Sequence, residues 1–227
     1  MLSEIYKKMK TFIARLNVSF FVFLHNVSYR GIGRWISIAH DGAHPKHEIM
    51  KYYQFFVDHV ADGDLVIDVG CGQGITAYHV SHKSDSVVGI DISLRNIRIA
   101  QKRWSADNLT FVVADALTYK PSRRFDKIIL SNVLEHIKER VAFLQQLHML
   151  SDVILLRVPL ITRDWLAMYK REQGLEYRLD PTHYIEYTLD SLQEELRQSG
   201  WAPREYSVQW GELWGVIISE EVCRQPV

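Results

Sequence analysis

The sequence predicts an α/β protein with a doubly wound, mostly parallel sheet of seven strands and an antiparallel hairpin at its C-terminal end. Apolar runs of strand length alternate with helical patterns from residue 65 to residue 158, and this alternation is typical of parallel sheets with right-handed crossovers. The first run leads into a glycine-rich loop, and acidic residues stand at the ends of the next two runs. In an open parallel sheet, ligands bind beyond such strand ends.

The composition is that of a globular protein and argues against several kinds of partner. Of 227 residues, 47% are apolar and 24% are charged, and 27 Lys and Arg balance 27 Asp and Glu, so no net field favours nucleic acid. Two cysteines make no disulfide framework, so we expect a cytoplasmic protein. We expect neither a secretion signal nor a membrane span, because no apolar segment approaches the ~20 residues that a span needs.

Residues 1–47 are predicted to be a helical extension to a main domain of residues 48–227. Residues 3–16 have the pattern of an amphipathic helix with lysines beside an apolar face, and an aromatic-rich segment follows over residues 20–24. Residues 1–30 are therefore candidates for a peripheral contact with the inner membrane surface. The alternative is packing on the main domain or in a homodimer interface, which is the commoner use of an apolar stripe.

A polar cluster precedes the first helix of the main domain, which is predicted over residues 48–60. His44 and His47 in this cluster are candidate substrate-binding residues, because histidine titrates near neutrality. They can equally cap and solvate a turn.

The loop after the first strand is the candidate ligand site. The run Leu65–Val69, broken only by Asp68, is typical of a buried parallel strand. A helix is predicted to follow over residues 75–81, and its first N–H groups would face the same crevice. Glycine lets a ligand approach the bare backbone. Three glycines stand at alternate positions in this loop: Gly70, Gly72 and Gly74.

The remaining elements continue the alternation. Residues 160–188 interrupt it with a polar, tyrosine-rich stretch that includes Tyr184, and we interpret them as a lid segment because long loops are usually functional. The predicted strands are residues 86–91, 109–114, 125–130 and 152–158, then a terminal hairpin of residues 205–210 and 214–219. The predicted helices are residues 94–104, 139–150 and 189–199.

Taken together, the motifs resemble those of the class I S-adenosylmethionine-dependent methyltransferases, over about residues 48–219. The ordered set, at successive strand ends, is far more specific than any one motif. No Lys-Ser/Thr pair follows Gly74, which argues against a phosphate-binding P-loop. The four matching motifs are Val-Ile-Asp68-Val-Gly70-Cys-Gly72-Gln-Gly74, then Asp91, then Ala114-Asp115-Ala116, and finally Ser131-Asn-Val-Leu-Glu-His136.

The resemblance implies a Rossmann-like fold and S-adenosyl-L-methionine as cofactor. It implies that Asp91 accepts hydrogen bonds from the ribose hydroxyls, that Asp115 accepts from the adenine amino group, and that Asp68 meets the cationic ammonium. Each acid has an alternative role: Asp68 can bond only to loop N–H groups, Asp91 can cap a helix and Asp115 can open a turn. The implied cofactor-binding residues are Asp68, Gly70, Cys71, Gly72, Gly74, Asp91, Ile92, Asp115, Ala116 and Ser131.

The resemblance also suggests the chemistry. Methyl transfer to a hydroxyl benefits from a general base, and His136 and His183 are the candidate catalytic residues. His136 can instead merely shape the cofactor pocket, while His183 and the candidate substrate-binding residue Tyr184 lie in the lid segment. Metal-dependent O-methyltransferases of ubiquinone biosynthesis have Glu-x-x-Glu-His here, whereas this chain has Asn132, Glu135 and His136, so we expect no required metal.

The sequence therefore predicts a methyltransferase that acts on a small polar metabolite, on an oxygen of a sugar or lipid-linked intermediate. One alternative is a nicotinamide-dependent oxidoreductase, which would need Gly-x-Gly-x-x-Gly, whereas the glycines here alternate and residue 75 is isoleucine. The other is a non-catalytic S-adenosylmethionine-binding subunit. The acceptor and the oligomeric state are left open.

Overall fold

A computed structural model describes residues 2–40 and 44–223, which fall into two compact units, residues 1–52 and residues 53–227. In the first unit, α1 (Leu2–Ala39) is a single helix of 38 residues, much longer than the predicted helix over residues 3–16. Most of its side chains are exposed. None of the helices in the described part of the chain combines the length and the apolar character needed to cross a membrane.

The helix predicted over residues 48–60 is two helices, α2 (Lys46–Met50) and α3 (Tyr52–Asp58). The break falls at Lys51, whose φ of 43° lies in the left-handed region and interrupts the helical backbone. The two compact units divide within α3, after Tyr52.

The second unit is built on one seven-stranded sheet, which confirms the predicted fold class. Its strand order is β3-β2-β1-β4-β5-β7-β6, with β1 to β5 parallel and the last two strands antiparallel. The hairpin is confirmed, although β6 starts four residues earlier than predicted; it carries Pro203, which an edge strand tolerates. The strands are β1 (Leu65–Val69), β2 (Ser86–Asp91), β3 (Leu109–Val113), β4 (Lys127–Ser131), β5 (Val153–Pro159), β6 (Trp201–Gln209) and β7 (Glu212–Ser219).

Helices cover the sheet, and the core lies between them and the central strands. Trp201, almost fully buried, packs in this core and donates its indole N–H to the Leu144 carbonyl at 2.9 Å. The lid segment contains a short 3₁₀ turn, Ile161–Arg163, and one helix, and then runs without regular structure to residue 188. The helices of this unit after α3 are α4 (Ile75–Ser81), α5 (Leu94–Arg103), α6 (Arg140–Leu147), α7 (Trp165–Glu172), α8 (Leu189–Gln198) and α9 (Glu220–Cys223).

Candidate functional site

The site lies where the strand order reverses. β1 pairs with β2 on one side and with β4 on the other, and all three run parallel, so their carboxyl ends meet at one edge of the sheet. This is the edge at which open α/β sheets bind ligands. The glycine-rich loop, Asp91 and the turn after β4 all begin there.

The three loop glycines have different reasons to be glycine. All three have positive φ, which side chains rarely adopt. A Cβ at Gly70 would lie 2.6 Å from Cγ2 of Val133, and one at Gly74 would lie 2.6 Å from the ring of Phe111, so these two permit close packing. A Cβ at Gly72 would meet nothing within 4 Å. Gly72 therefore faces the open side of the loop, where a ligand can approach the backbone.

Asp91 holds the glycine-rich loop to the end of β2. Its carboxylate accepts hydrogen bonds from the backbone N–H of Gly72 at 2.9 Å and of Ser93 at 2.7 Å. The cap of α5 is Ser93, whose side chain accepts from the Asn96 N–H, so Asp91 is not the helix cap. The carboxylate is only partly buried and can still accept bonds from a ligand.

Asp68 has a buried carboxyl group, one oxygen of which lacks a hydrogen-bond partner among the described residues. Its side chain is 2% exposed, and Oδ2 has no hydrogen-bond partner among the described residues. Burial raises its pKa to about 8, an effect that nearby Asp91 reinforces. An unpartnered buried oxygen beside a glycine-rich loop is suited to a cationic ligand group.

The other predicted cofactor residues line the same edge. Ile92 directly follows Asp91 and is 77% exposed, an unusual position for a large apolar side chain. Asp115 is exposed and its Oδ1 accepts from the Leu117 N–H at 2.9 Å, so it does open a turn. The Ser131 hydroxyl accepts from Arg157 at 3.4 Å. Ala116 packs against the core, and Cys71 is buried, which raises the pKa of its thiol.

The structure brings His136 and His183 together from opposite sides of the site. His136 ends a 3₁₀ turn, Leu134–His136, just after β4, whereas His183 lies in the lid segment. Their rings meet edge to face with centroids 4.6 Å apart. His136 is exposed and His183 is buried, so only the first is accessible to a substrate.

Lid residues that the sequence did not single out fix both rings. Nδ1 of His136 lies 3.0 Å from the Thr182 hydroxyl, which donates to Asp180 at 2.7 Å. Nδ1 of His183 lies 3.0 Å from Oε1 of Glu186. Burial and the neighbouring His183 lower the pKa of His136, although Asp180 opposes this, so His136 is mainly neutral at neutral pH.

Glu186 anchors the lid segment. It is buried, forms an ion pair with Arg163, and accepts from the Leu179 N–H at 2.6 Å. Burial opposes its ionisation, but the bonds from His183 and Leu179 outweigh burial and lower its pKa. These partners have no regular spacing in the sequence, and His183 is the one residue among them that the sequence analysis singled out.

Glu135 is the second unpartnered acid of the site. It is fully buried, neither carboxylate oxygen has a partner among the described residues, and burial raises its pKa to about 7. One ligand atom from each of Glu135, His136 and His183 falls within 4.8 Å of the others, a spacing that can hold a metal ion. Asn132, which replaces the second carboxylate, has a φ of 55°, a conformation that asparagine tolerates better than most residues.

The predicted substrate-binding residues stay predictions. Nδ1 of His44 accepts from the Lys46 N–H at 3.2 Å, which is the turn-capping alternative, and His44 belongs to the first compact unit. The side chain of His47 lies outside the described residues. Tyr184 is 61% exposed, and its backbone N–H donates to the Glu135 carbonyl at 2.8 Å, which ties the lid segment to the turn after β4.

Comparison with known proteins gives one family. A model described as a methyltransferase domain matches residues 42–206. The chain is 30% identical over 108 residues to a ubiquinone biosynthesis O-methyltransferase of Paracidovorax citrulli, covering 44% of this chain and 45% of that protein. It is 29% identical over 93 residues to a probable (S)-tetrahydroprotoberberine N-methyltransferase 2 of Papaver bracteatum, covering 39% of this chain and 26% of that protein. These matches span half or less of each relative's length.

Solved structures agree in fold. The magnesium protoporphyrin IX methyltransferase of Synechocystis with bound SAH matches with a TM-score of 0.58 and 19% identity, over 86% of this chain and 83% of that one. DhpI, also solved with SAH, matches with a TM-score of 0.61 and 17% identity, over 86% and 94%.

We predict that the group of Glu135, His136 and His183 needs no metal. Glu135 is the single acid in this group, and Asn132, at the position of the second carboxylate, is neutral. After purification and dialysis against Zn²⁺ or Mg²⁺, plasma mass spectrometry should find no stoichiometric ion. A retained ion that Glu135→Gln abolishes, and that an exposed control, Glu176→Gln, does not, would refute this prediction.

Proposed function

This chain belongs to the methyltransferase-domain family, and on that premise we propose that it moves a methyl group from S-adenosylmethionine to an oxygen of a small polar metabolite, a sugar or a lipid-linked intermediate. When bound, S-adenosylmethionine supplies an electrophilic methyl group on a sulfonium. The residues around it have three tasks: to bind the cofactor, to align the acceptor and to take the acceptor's proton.

Cofactor binding is assigned to the edge where β1, β2 and β4 end. The unmet oxygen of Asp68 suits the ammonium group of the cofactor, because a cation favours the ionised form of a buried carboxyl. The space beside Gly72 leaves room for the cofactor to approach the backbone. Asp91 accepts from ribose hydroxyls, Asp115 from the adenine amino group, and the exposed Ile92 offers an apolar surface to the base.

The observation that carries oxygen as the acceptor atom is the position of His136. It is exposed, its pKa is lowered so that it is neutral at neutral pH, and its Nδ1 is already engaged, which leaves Nε2 to take a hydroxyl proton. The similarity to a ubiquinone biosynthesis O-methyltransferase supports this choice. His183 is buried with its ring edge to face against that of His136, so we assign it the role of supporting the His136 ring and not of contacting the acceptor.

Nitrogen is the second candidate acceptor, because one similar protein is an N-methyltransferase. An amine that attacks in its neutral form needs no strong base, so a variant without His136 would keep most of its activity on such an acceptor. We prefer oxygen because His136 is held by its contact with Thr182 and is also exposed to an acceptor.

We further propose that the enzyme works in the cytoplasm at the inner membrane surface and that residues 1–30 make the contact. On α1, exposed apolar side chains recur on one face, as with Ile5, Phe12 and Phe20, which are 56%, 62% and 55% exposed. From Leu2 to Val27 the helix carries four basic residues against a single acid. A homodimer through this face would oppose two helices of like charge, whereas an anionic lipid surface would complement them.

Cofactor binding gives the first test. In calorimetry, we expect S-adenosylhomocysteine to bind and to release a proton at pH 7, because Asp68 has a pKa of about 8 and a neighbouring ammonium ionises it. Asp68→Asn should abolish the proton release, and Asp91→Ala should weaken binding about ten- to hundredfold, since hydrogen bonds to a charged group contribute about 1.5–3 kcal/mol. Absence of binding to the wild-type protein would end the proposed function.

Proton removal by His136 gives the second test. With a panel of sugar and lipid-linked acceptors, His136→Ala should lower kcat about 10²- to 10⁴-fold while cofactor affinity is unchanged. The wild-type rate should fall as the pH drops through the lowered pKa of His136, below about 6.5, and stay level above it, because only the neutral imidazole accepts a proton. The exposed His82→Gln is the control. An unchanged rate in His136→Ala would exclude this base.

The membrane contact can be tested with two neighbouring phenylalanines. Phe20 lies on the apolar face of α1, whereas Phe21, 65% exposed, points to another side. Phe20→Ser should weaken co-sedimentation with vesicles of equimolar phosphatidylcholine and phosphatidylglycerol about tenfold, since a buried phenylalanine contributes about 1.5–3 kcal/mol. Phe21→Ser should change it little. If the wild-type protein does not co-sediment and Phe20→Ser instead dissociates a dimer, the face is a dimer interface.

A further inference from the structure

We propose that Asp180 and Thr182 are positioning residues that hold His136 in the tautomer with its proton on Nδ1, so that the Nε2 lone pair faces the acceptor. The inference rests on the proposed function, in which His136 takes the acceptor's proton. Neither residue is close to His136 in the sequence: Thr182 lies 46 positions away, in the lid segment.

The direction of each hydrogen bond follows from counting protons. A carboxylate only accepts, whereas a threonine hydroxyl has one proton to donate and lone pairs with which to accept. Oγ1 of Thr182 lies 2.7 Å from Oδ1 of Asp180, so its one proton is used there. The same oxygen lies 3.0 Å from Nδ1 of His136. With the hydroxyl proton committed, this second contact is a hydrogen bond only if His136 donates from Nδ1.

Asp180 is fixed well enough to impose this direction. Besides the hydroxyl, its Oδ1 accepts from the backbone N–H of Thr182 at 2.8 Å, so the carboxylate and the threonine form one closed turn. Burial opposes its ionisation, but the bonds from Thr182 and the neighbouring His183 outweigh burial and lower its pKa. An ionised Asp180 cannot donate, and the chain of bonds therefore runs one way, from His136 through Thr182 to Asp180.

His183 provides an internal reference for the tautomer of His136. Nδ1 of His183 lies 3.0 Å from Oε1 of Glu186, a carboxylate whose pKa is lowered, so this ring also donates from Nδ1. Among the described residues, the titratable groups that face His136 are His183, Glu135 and Asp180, and of these only Asp180 acts on Nδ1, through Thr182. The base is consequently assembled from two parts of the chain: the ring from the turn after β4 and its fixed tautomer from the lid segment.

Long-range ¹H–¹⁵N NMR of the full chain with ¹⁵N-labelled histidine tests the proposal without any methyl transfer. At a pH above the pKa of His136, its signals should show a protonated Nδ1 and a bare Nε2. Thr182→Val should lose that pattern, and Thr182→Ser should restore it. Asp180→Ala should also lose it, because the freed Thr182 hydroxyl can then donate to Nδ1.

Two controls separate this effect from a general change of structure. His183 should keep its own Nδ1–H signal in every Thr182 variant, and Thr118→Val, which alters an exposed threonine elsewhere, should leave His136 unchanged. An Nε2-protonated His136 in the wild-type protein, or a tautomer that survives Thr182→Val, would overturn the proposal. Because the readout is spectroscopic, it can fail while cofactor binding and methyl transfer succeed, and the reverse also holds.

Discussion

Gly70 lies against Val133 so closely that a Cβ at position 70 would come within 2.6 Å of the valine side chain. This contact sets the spacing between the glycine-rich loop after β1 and the turn after β4. Val133 stands three residues before His136, so the same contact that shapes the glycine-rich loop also helps to place this histidine near the loop. The parallel pairing of β1 and β4 makes the contact possible, because both chains leave the sheet at the same edge.

Three carboxyl groups around this edge differ in their burial and in their hydrogen-bond partners. Asp91 accepts hydrogen bonds from the backbone N–H groups of Gly72 and Ser93 and remains partly exposed. Asp68 and Glu135 are buried with oxygens that have no partner among the described residues, and burial raises both pKa values. Unsatisfied buried acids are costly to a fold. Both of these acids lie beside the Gly70–Val133 contact in the sequence, two residues before Gly70 and two residues after Val133.

The strands, the loop and the acids at the strand ends were predictable because each has a local signal: an apolar run, a glycine or an acid at a turn. The continuous α1 was not, since its second half has no clean apolar face once Arg30 and Arg34 enter. The break at Lys51 was not predictable either, because a single left-handed residue leaves no periodic trace. The lid contacts were beyond prediction for a different reason: a bond from Thr182 to His136 joins distant positions whose residue types are common everywhere.

The lid segment reaches the turn after β4 partly through the main chain, where the N–H of Tyr184 donates to the carbonyl of Glu135. Such a bond places no demand on the identity of either side chain, apart from excluding proline at position 184. The tyrosine side chain itself is 61% exposed. The side chain at this position can therefore be replaced by most other residues while the main-chain bond that holds the segment to the turn after β4 is kept.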